Sequence, residues 1–323
     1  MCGIAGFSDF TKKSNPSVLQ LMTDVISYRG PNDQGIFTKE FNETIVGLGH
    51  RRLSILDLSP LGHQPYQYKN LTIVFNGEIY NFKEIREKLI AKGYSFESNS
   101  DTEVIIKSYE ANGIACVEDF IGMFSFSLLD QRSQKMYLVR DRAGVKPMYW
   151  FWKNDTFLFG SELKSFHCHP GFTKEMDLDS LALYFQYSYI PAPYTIFKNT
   201  HKLSPGHILE LDLKNKSISI NQYWNVIDYY NKPKLTISLS EAEEELEKIL
   251  KSACEYRMVS DVPVGVFLSG GYDSSAVAAL LQSNRTEKLK TFTIGFDEPK
   301  YNEANHAKKV AEYLGTDHTE YYC

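Results

Sequence analysis

The sequence predicts two domains, a layered α+β domain followed by an α/β domain built on a parallel sheet. Three observations predict this. The chain has 323 residues, 43% of them hydrophobic, enough for about two domains at roughly 150 residues each. Up to residue 213, short strand-like runs dominate, with two or three helical stretches among them. Beyond residue 264, apolar strand runs alternate with helices, the pattern of parallel strands joined by crossovers.

The elements of the first domain can be justified in order. Residues 71–75 are a compact apolar run ending at Asn76-Gly77, a strong turn signal. Residues 82–92 follow with Phe82, Ile85, Leu89 and Ile90 on one helical face, and 102–109 read as a second helix. Strands are expected at 123–129, 135–140, 148–152 and 156–159. Helices flanking a strand-rich middle give a layered α+β domain, closing near a strand at 207–213. The domain therefore spans 2–213.

Residues 214–237, rich in Asn, Lys, Tyr and Ser, read as a linker. The second domain spans 238–323 and opens on a helix with Ser240 as N-cap and Glu243 three residues on, a capping box. Ala242, Leu246, Ile249, Leu250 and Ala253 line one face of it. A buried-type strand at 264–268, a helix at 275–282, a strand at 289–296, a helix at 302–314 and a strand at 318–322 follow. Three parallel strands make a thin sheet with an apolar open edge, so the chain is expected to be the N-terminal part of a longer protein.

Composition excludes several functions. The net charge is −5 and no long basic block occurs, so nucleic acid is not an expected partner. No apolar run reaches the length of a membrane span, and no signal peptide opens the chain. The five cysteines, Cys2, Cys116, Cys168, Cys254 and Cys323, are scattered and form no C-x-x-C pair, against a disulfide framework or a zinc site. A cytoplasmic location follows. His167-Cys168-His169 matches no standard zinc spacing and reads as a loop end after a strand.

Two local features carry chemistry. If the initiator methionine is removed, Cys2 combines a thiol nucleophile with a free α-amine. That amine titrates near pH 8, far below a lysine at about 10.4, and can act as the base in acyl transfer. The second feature is Leu268-Ser269-Gly270-Gly271-Tyr272-Asp273-Ser274-Ser275, a glycine-containing turn between a strand and a helix. Its backbone N–H groups and the helix N-terminus favour an anion, and the serine hydroxyls can donate to phosphate oxygens. Asp273 would repel phosphate without a bridging cation, which implies Mg²⁺. Neither a Walker loop nor a dinucleotide fingerprint is present.

This S-G-G-x-D-S loop resembles the pyrophosphate loop of ATP pyrophosphatases, which implies adenylation of a carboxylate. Six upstream motifs closely resemble class II glutamine amidotransferase domains. They are Arg29-Gly30-Pro31-Asn32-Asp33, His50 to Asp57, Phe75 to Asn81, Ser100 to Glu103, Arg140 to Tyr149, and Ser161-Glu162-Leu163-Lys164. Together with the loop, the chain resembles glutamine-hydrolysing asparagine synthetases from Cys2 to Cys323. The resemblance implies an N-terminal-nucleophile hydrolase αββα sandwich, followed by a truncated adenine-nucleotide α-hydrolase-like (Rossmann-like) domain.

It also implies roles. Cys2 would attack the side-chain amide of glutamine, with Asn76 and the Gly77 N–H as oxyanion hole. Arg52 would grip the α-carboxylate, with Leu53, Ser54, Ile55 and Leu56 continuing its strand. Asp101 would hold the α-ammonium, with Glu78 beside it. Leu268 and Ile294 would contact adenosine. Ser269, Gly270, Gly271, Asp273 and Ser274 would cradle pyrophosphate, Asp273 with Mg²⁺. The implied partners are glutamine, ATP and an aspartate acceptor, and the resemblance admits a homodimer. Ammonia would pass between the domains. By themselves, Arg52 reads as an ion-pair arginine, Asn76-Gly77 as a hairpin turn and Asp101 as a helix cap. Other readings are a relative amidating another carboxylate such as a sugar acid, a glutaminase-only fragment, a β-lactam-forming relative and a non-catalytic binding module. Segments of the family that complete the ATP and acceptor sites have no counterpart in these residues.

Overall fold

The computed structural model describes residues 1–283 and 285–323. The chain divides into two compact units, Met1–Lys232 and Pro233–Cys323.

The first unit holds two six-stranded antiparallel sheets. One has the order β10-β8-β9-β1-β3-β2 and the other β12-β11-β7-β6-β5-β4. The strands are β1 (Gly3–Asp9), β2 (Asp33–Glu40), β3 (Ile45–Arg52), β4 (Tyr66–Tyr68), β5 (Leu71–Ile79), β6 (Gly122–Asp130), β7 (Lys135–Arg140), β8 (Tyr149–Lys153), β9 (Thr156–Gly160), β10 (Thr200–Lys202), β11 (His207–Asp212) and β12 (Ser217–Gln222). The helices are α1 (Pro16–Asp24), α2 (Phe82–Ala91), α3 (Asp101–Asn112), α4 (Leu178–Tyr187) and α5 (Val226–Tyr230). Strand alternation assigns two faces to each sheet. Ile4, Val46, Leu48, Phe157 and Phe159 pack inward against Val74, Leu129, Leu138 and Leu209 of the second sheet. Ala5, Phe7 and Leu158 point outward, under Leu19 and Met22 of α1. On the far side, α3 packs on β5, and α2 on α3. Each fully buried phenylalanine contributes about 1.5–3 kcal/mol relative to exposure. The result is a four-layer αββα sandwich.

Several expectations need correction. Asn76-Gly77 is not a turn: β5 runs through it, because Asn76 pairs with Ser125 and Gly77 with Phe124 of β6. A full ladder on one side outweighs the local preference of the dipeptide. Leu53–Leu56 do not continue a strand. β3 stops at Arg52, whose guanidinium folds the following loop back by donating to the carbonyls of Leu56 (3.1 Å), Asp57 and Ser59 (3.2 Å). The stretch 214–237, read as a linker, contains β12, paired with β11, and α5, capped by the Asn225 side chain. β12 carries the alternating run Ser217-Ile218-Ser219-Ile220, a short strand signal that the linker reading passed over, and Ile218 packs on the core. His167 and Cys168 belong to a 3₁₀ turn, and buried His169 follows it, bonded to Ser14 (2.8 Å) and accepting from the Gly171 N–H (3.0 Å).

The second unit is a parallel sheet, β13-β14-β15, formed by β13 (Val266–Phe267), β14 (Lys290–Gly295) and β15 (Asp317–Tyr322). Its helices are α6 (Leu239–Tyr256), α7 (Tyr272–Gln282) and α8 (Ala304–Leu314). Leu268, Ala278, Leu281, Leu289, Ala307 and Ala311 form its core. The capping box lies two residues earlier than expected, on Ser238 and Glu241, which satisfy each other's backbone N–H. The expected apolar stripe of α6 is largely exposed, with Leu246 at 56% and Ile249 at 58%. Cys254 and Met258, nearer the helix end, do the packing instead.

Candidate active site

β5 extends beyond its edge partner β4, which reaches only to Ile73. The backbone groups of β5 on that open edge therefore need other partners. Phe75 N–H donates to Gln64 Oε1 (2.7 Å), and Ile79 N–H donates to Asp101 Oδ2 (2.9 Å). Between them, by the alternation of the strand, Gly77 N–H lies on the same edge and borders a cavity of about 180 Å³. A Cβ on Gly77 would run into the carbonyl of Met123, so only glycine fits this approach.

The cavity is lined by Cys2, Arg52, Leu53, Ile55, Leu56, Asn76, Gly77, Glu78 and Asp101, all singled out in the sequence. Ser54 does not line it; its N–H donates to Asn32 Oδ1 (3.0 Å) and its role is in the loop. The Cys2 thiol faces the loop after β3, with Leu53 N–H donating to Sγ at 3.4 Å. Burial raises the thiol pKa, the Leu53 contact and the N-terminal charge lower it, and Glu78 and Asp101 raise it. Burial pushes the Met1 ammonium below its usual value, with Arg29 and Lys146 acting the same way and Cys2 opposing.

Asn76 is fully buried, and neither its amide nitrogen nor its oxygen has a hydrogen-bond partner in the protein. Buried polar groups are normally paired, so an open amide on a cavity wall implies a ligand. His50 holds the preceding residue from the other sheet: its Nε2–H donates to the Phe75 carbonyl (2.9 Å). Complete burial keeps this imidazole neutral, with its pKa down to about 3. Asp101, at the first turn of α3, is raised to about 7 by burial, against the hydrogen bond from Ile79. A buried carboxyl poised in this way invites a cation. The loop leading to it is held by Glu103, which accepts from Ser98 N–H (2.7 Å) and from buried Lys107 (2.5 Å).

Sequence reasoning missed Gln64, His50 and Lys146 as parts of this arrangement. His50 and Lys146 stand inside quoted motifs, whereas no local signal marks Gln64.

In the second unit a cavity of about 320 Å³ is lined by Phe267, Leu268, Ser269, Ser274, Phe292, Thr293, Ile294 and Glu303. Leu268, Ser269, Ser274 and Ile294 therefore meet as anticipated, while Gly270, Gly271 and Asp273 lie outside the lining. Ser269 and Ser274 hydroxyls bond each other at 2.9 Å, closing the turn. Gly270 takes φ +81, and a Cβ there would meet Ala307 N at 2.7 Å. α7 begins at Tyr272, so the loop does open a helix N-terminus. Asp273 is exposed in its first turn.

Residues 1–224 match the family model described as a glutamine amidotransferase domain, and residues 245–323 match that of asparagine synthase. A protein of Methanocaldococcus jannaschii, provisionally named asparagine synthetase [glutamine-hydrolyzing] 2, is 41% identical, covering 100% of this chain and 65% of its own. Asparagine synthetase [glutamine-hydrolyzing] 3 of Bacillus subtilis is 34% identical over 98% of this chain and 53% of its own length. The chain thus spans about half to two thirds of these relatives. Among solved structures, the glutamine phosphoribosylpyrophosphate amidotransferase of B. subtilis superposes with a TM-score of 0.52 at 16% identity, covering 99% of this chain and 65% of that one. This supports the N-terminal-nucleophile hydrolase fold. The chain belongs to the glutamine amidotransferase domain family, in the branch where that domain is followed by an asparagine synthase domain.

Proposed function

We propose that the chain, once Met1 is removed, hydrolyses glutamine at Cys2 and supplies the ammonia to an ATP-dependent amidation of aspartate. The observation that carries this reading is the unpartnered amide of Asn76 beside Gly77 N–H, on the wall that Cys2 shares. Cys2 Sγ attacks the side-chain carbonyl of glutamine while the Cys2 amine takes the thiol proton and passes it to the leaving nitrogen. Asn76 Nδ2 and Gly77 N–H donate to the oxyanion, each such donor typically contributing about 2.7–4 kcal/mol. Water then cleaves the thioester, releasing glutamate. Asp101 receives the substrate α-ammonium. Arg52 directs N–H groups to three loop carbonyls, and its remaining N–H groups are available to the α-carboxylate.

In the second unit the serine and glycine loop suits the phosphates of ATP, with Leu268 and Ile294 at the adenosine. Among the described residues no three His, Cys, Asp or Glu side chains group to hold a metal. A Mg²⁺ ion would therefore take Asp273 with nucleotide phosphates and water, the usual mixture for that ion. When bound it would neutralise the charge on the departing pyrophosphate. The products would be asparagine, AMP and pyrophosphate. Five unpaired cysteines support a reducing, cytoplasmic setting. Among the described residues no helix is long and apolar enough to cross a membrane.

Glutamate release from glutamine tests the first half. Protein shown by mass spectrometry to begin at Cys2 should release glutamate, and Cys2→Ala should lose on the order of 10⁴-fold or more. Equal release from both would end the proposal.

A further inference from the structure

We propose that Lys146, buried in the wall of the cavity it shares with Cys2, lowers the working pH of the cysteine site. This rests on the glutaminase reading above. Lys146 is 5% exposed and lines the same cavity as Cys2, Asn76 and Glu78. Its backbone is pinned on both sides: its N–H donates to Asp141 Oδ2 (2.9 Å), and its carbonyl accepts from Arg140 Nε (2.9 Å). Asp141 is itself buried and also accepts from Ala143, Val145 and Phe124 N–H groups. The lysine stem therefore leaves a rigid loop.

The other charges around Cys2 come from four elements. Arg29, after α1, is held against Cys2: Nη1 pairs with Glu162 at 3.0 Å, Nε donates to the Cys2 carbonyl at 2.9 Å, and its charge also lowers the pKa of the N-terminal amine. Arg52, at the end of β3, points its N–H groups at the loop carbonyls. Glu78 on β5 and Asp101 on α3 are carboxyls, and both make ionisation of the thiol harder. Lys146 adds a further cation to the wall of this cavity. Its charge lowers the pKa of the N-terminal amine; burial pushes its own pKa down, against Glu78 and Cys2, which raise it. Two effects of such a charge run the same way for catalysis. A cation near an ammonium favours the free base, and a cation near a thiol favours the thiolate. Once Met1 is gone, the amine and the thiol belong to one residue, and Lys146 biases both toward the reactive form. It is a positioning residue acting through charge; no contact with substrate is required.

The test compares full-length wild type with Lys146→Met, Lys146→Gln and Lys146→Arg. Iodoacetamide modification of Cys2 is followed against pH by mass spectrometry of the N-terminal peptide, and kcat/KM for glutamate release is measured in parallel. In the Met and Gln variants the alkylation midpoint and the acidic limb of kcat/KM should both move upward by about one pH unit, with a loss of about tenfold at neutral pH. Arginine should restore both. Midpoints that coincide with wild type in Lys146→Met and Lys146→Gln, with melting temperature retained in either, would overturn the proposal. Should wild type release no glutamate, the glutaminase reading fails, while the alkylation midpoint still reports whether Lys146 acts on Cys2.

Discussion

The cavity at Cys2 and the loop at Ser269 are built in opposite ways. The first gathers side chains from β3, β5, α3 and the β7–β8 loop, nearly all buried and braced by other buried polar groups. The second centres on one contiguous turn in which backbone conformation and helix position do most of the work, with β14 adding Ile294, and its acids, Asp273 and Glu303, are exposed. A site of the first kind depends on the whole sandwich for its geometry. A site of the second kind is built around one strand–helix junction, with the neighbouring strand and helix completing its walls.

This contrast can be tested by substitutions ordered by the size of effect. Asp273→Ala should abolish Mg-ATP-dependent pyrophosphate release in the full-length enzyme. Its melting temperature should stay the same, because the side chain is exposed; normal turnover would remove Asp273 from the site. Asn76→Ala should lower kcat for glutamate release by about 10²–10³. Since its amide has no partner in the protein, the same change should not weaken folding through a lost hydrogen bond. A large drop in kcat with an equally large loss of stability would instead make Asn76 structural.

Asp101→Asn should raise KM for glutamine by about 10- to 100-fold. It should also stabilise the ligand-free protein above pH 7. The folded carboxyl, raised to about 7, holds a proton that the unfolded one has lost above 3.8, so this group costs stability as pH rises through that window. His50 has the opposite sign. Its folded pKa of about 3 lies below the unfolded 6.5, so the unfolded chain binds the extra proton and stability falls as pH drops from 6.5 toward 3, by about 1.4 kcal/mol per pH unit. Between 3.8 and 6.5 the two oppose each other. Denaturant titrations of His50→Gln against wild type should show that slope removed; identical pH dependence would mean that the imidazole is not buried neutral.

Much of this was legible before any coordinates. Cys2, Arg52, Asn76, Gly77, Glu78 and Asp101 were recognisable from motifs, and so was the serine–glycine loop. Gln64 was not. Its contribution is a side-chain oxygen replacing a missing strand at Phe75, and no local pattern signals a strand that ends early. The turn expected at Asn76-Gly77 failed for a related reason. A dipeptide preference of a fraction of a kcal/mol yields when a neighbouring strand pairs with the whole segment from Leu71 to Ile79. The stretch 214–237 obscured β12 because its alternating run, Ser217-Ile218-Ser219-Ile220, is only four residues long and lies among polar residues.

The sequence by itself determined the layered α+β and parallel-sheet classes and which residue types could carry chemistry, because periodicity and motif spacing are local properties of the chain; the αββα arrangement came from the family resemblance. Only the tertiary structure decided that β5 outruns β4, that Gly77 N–H and the Asn76 amide are thereby left facing Cys2, and that Lys146 is buried beside them. Those outcomes depend on which distant segments compete for the same backbone edge, and burial then sets how strongly each charge is felt.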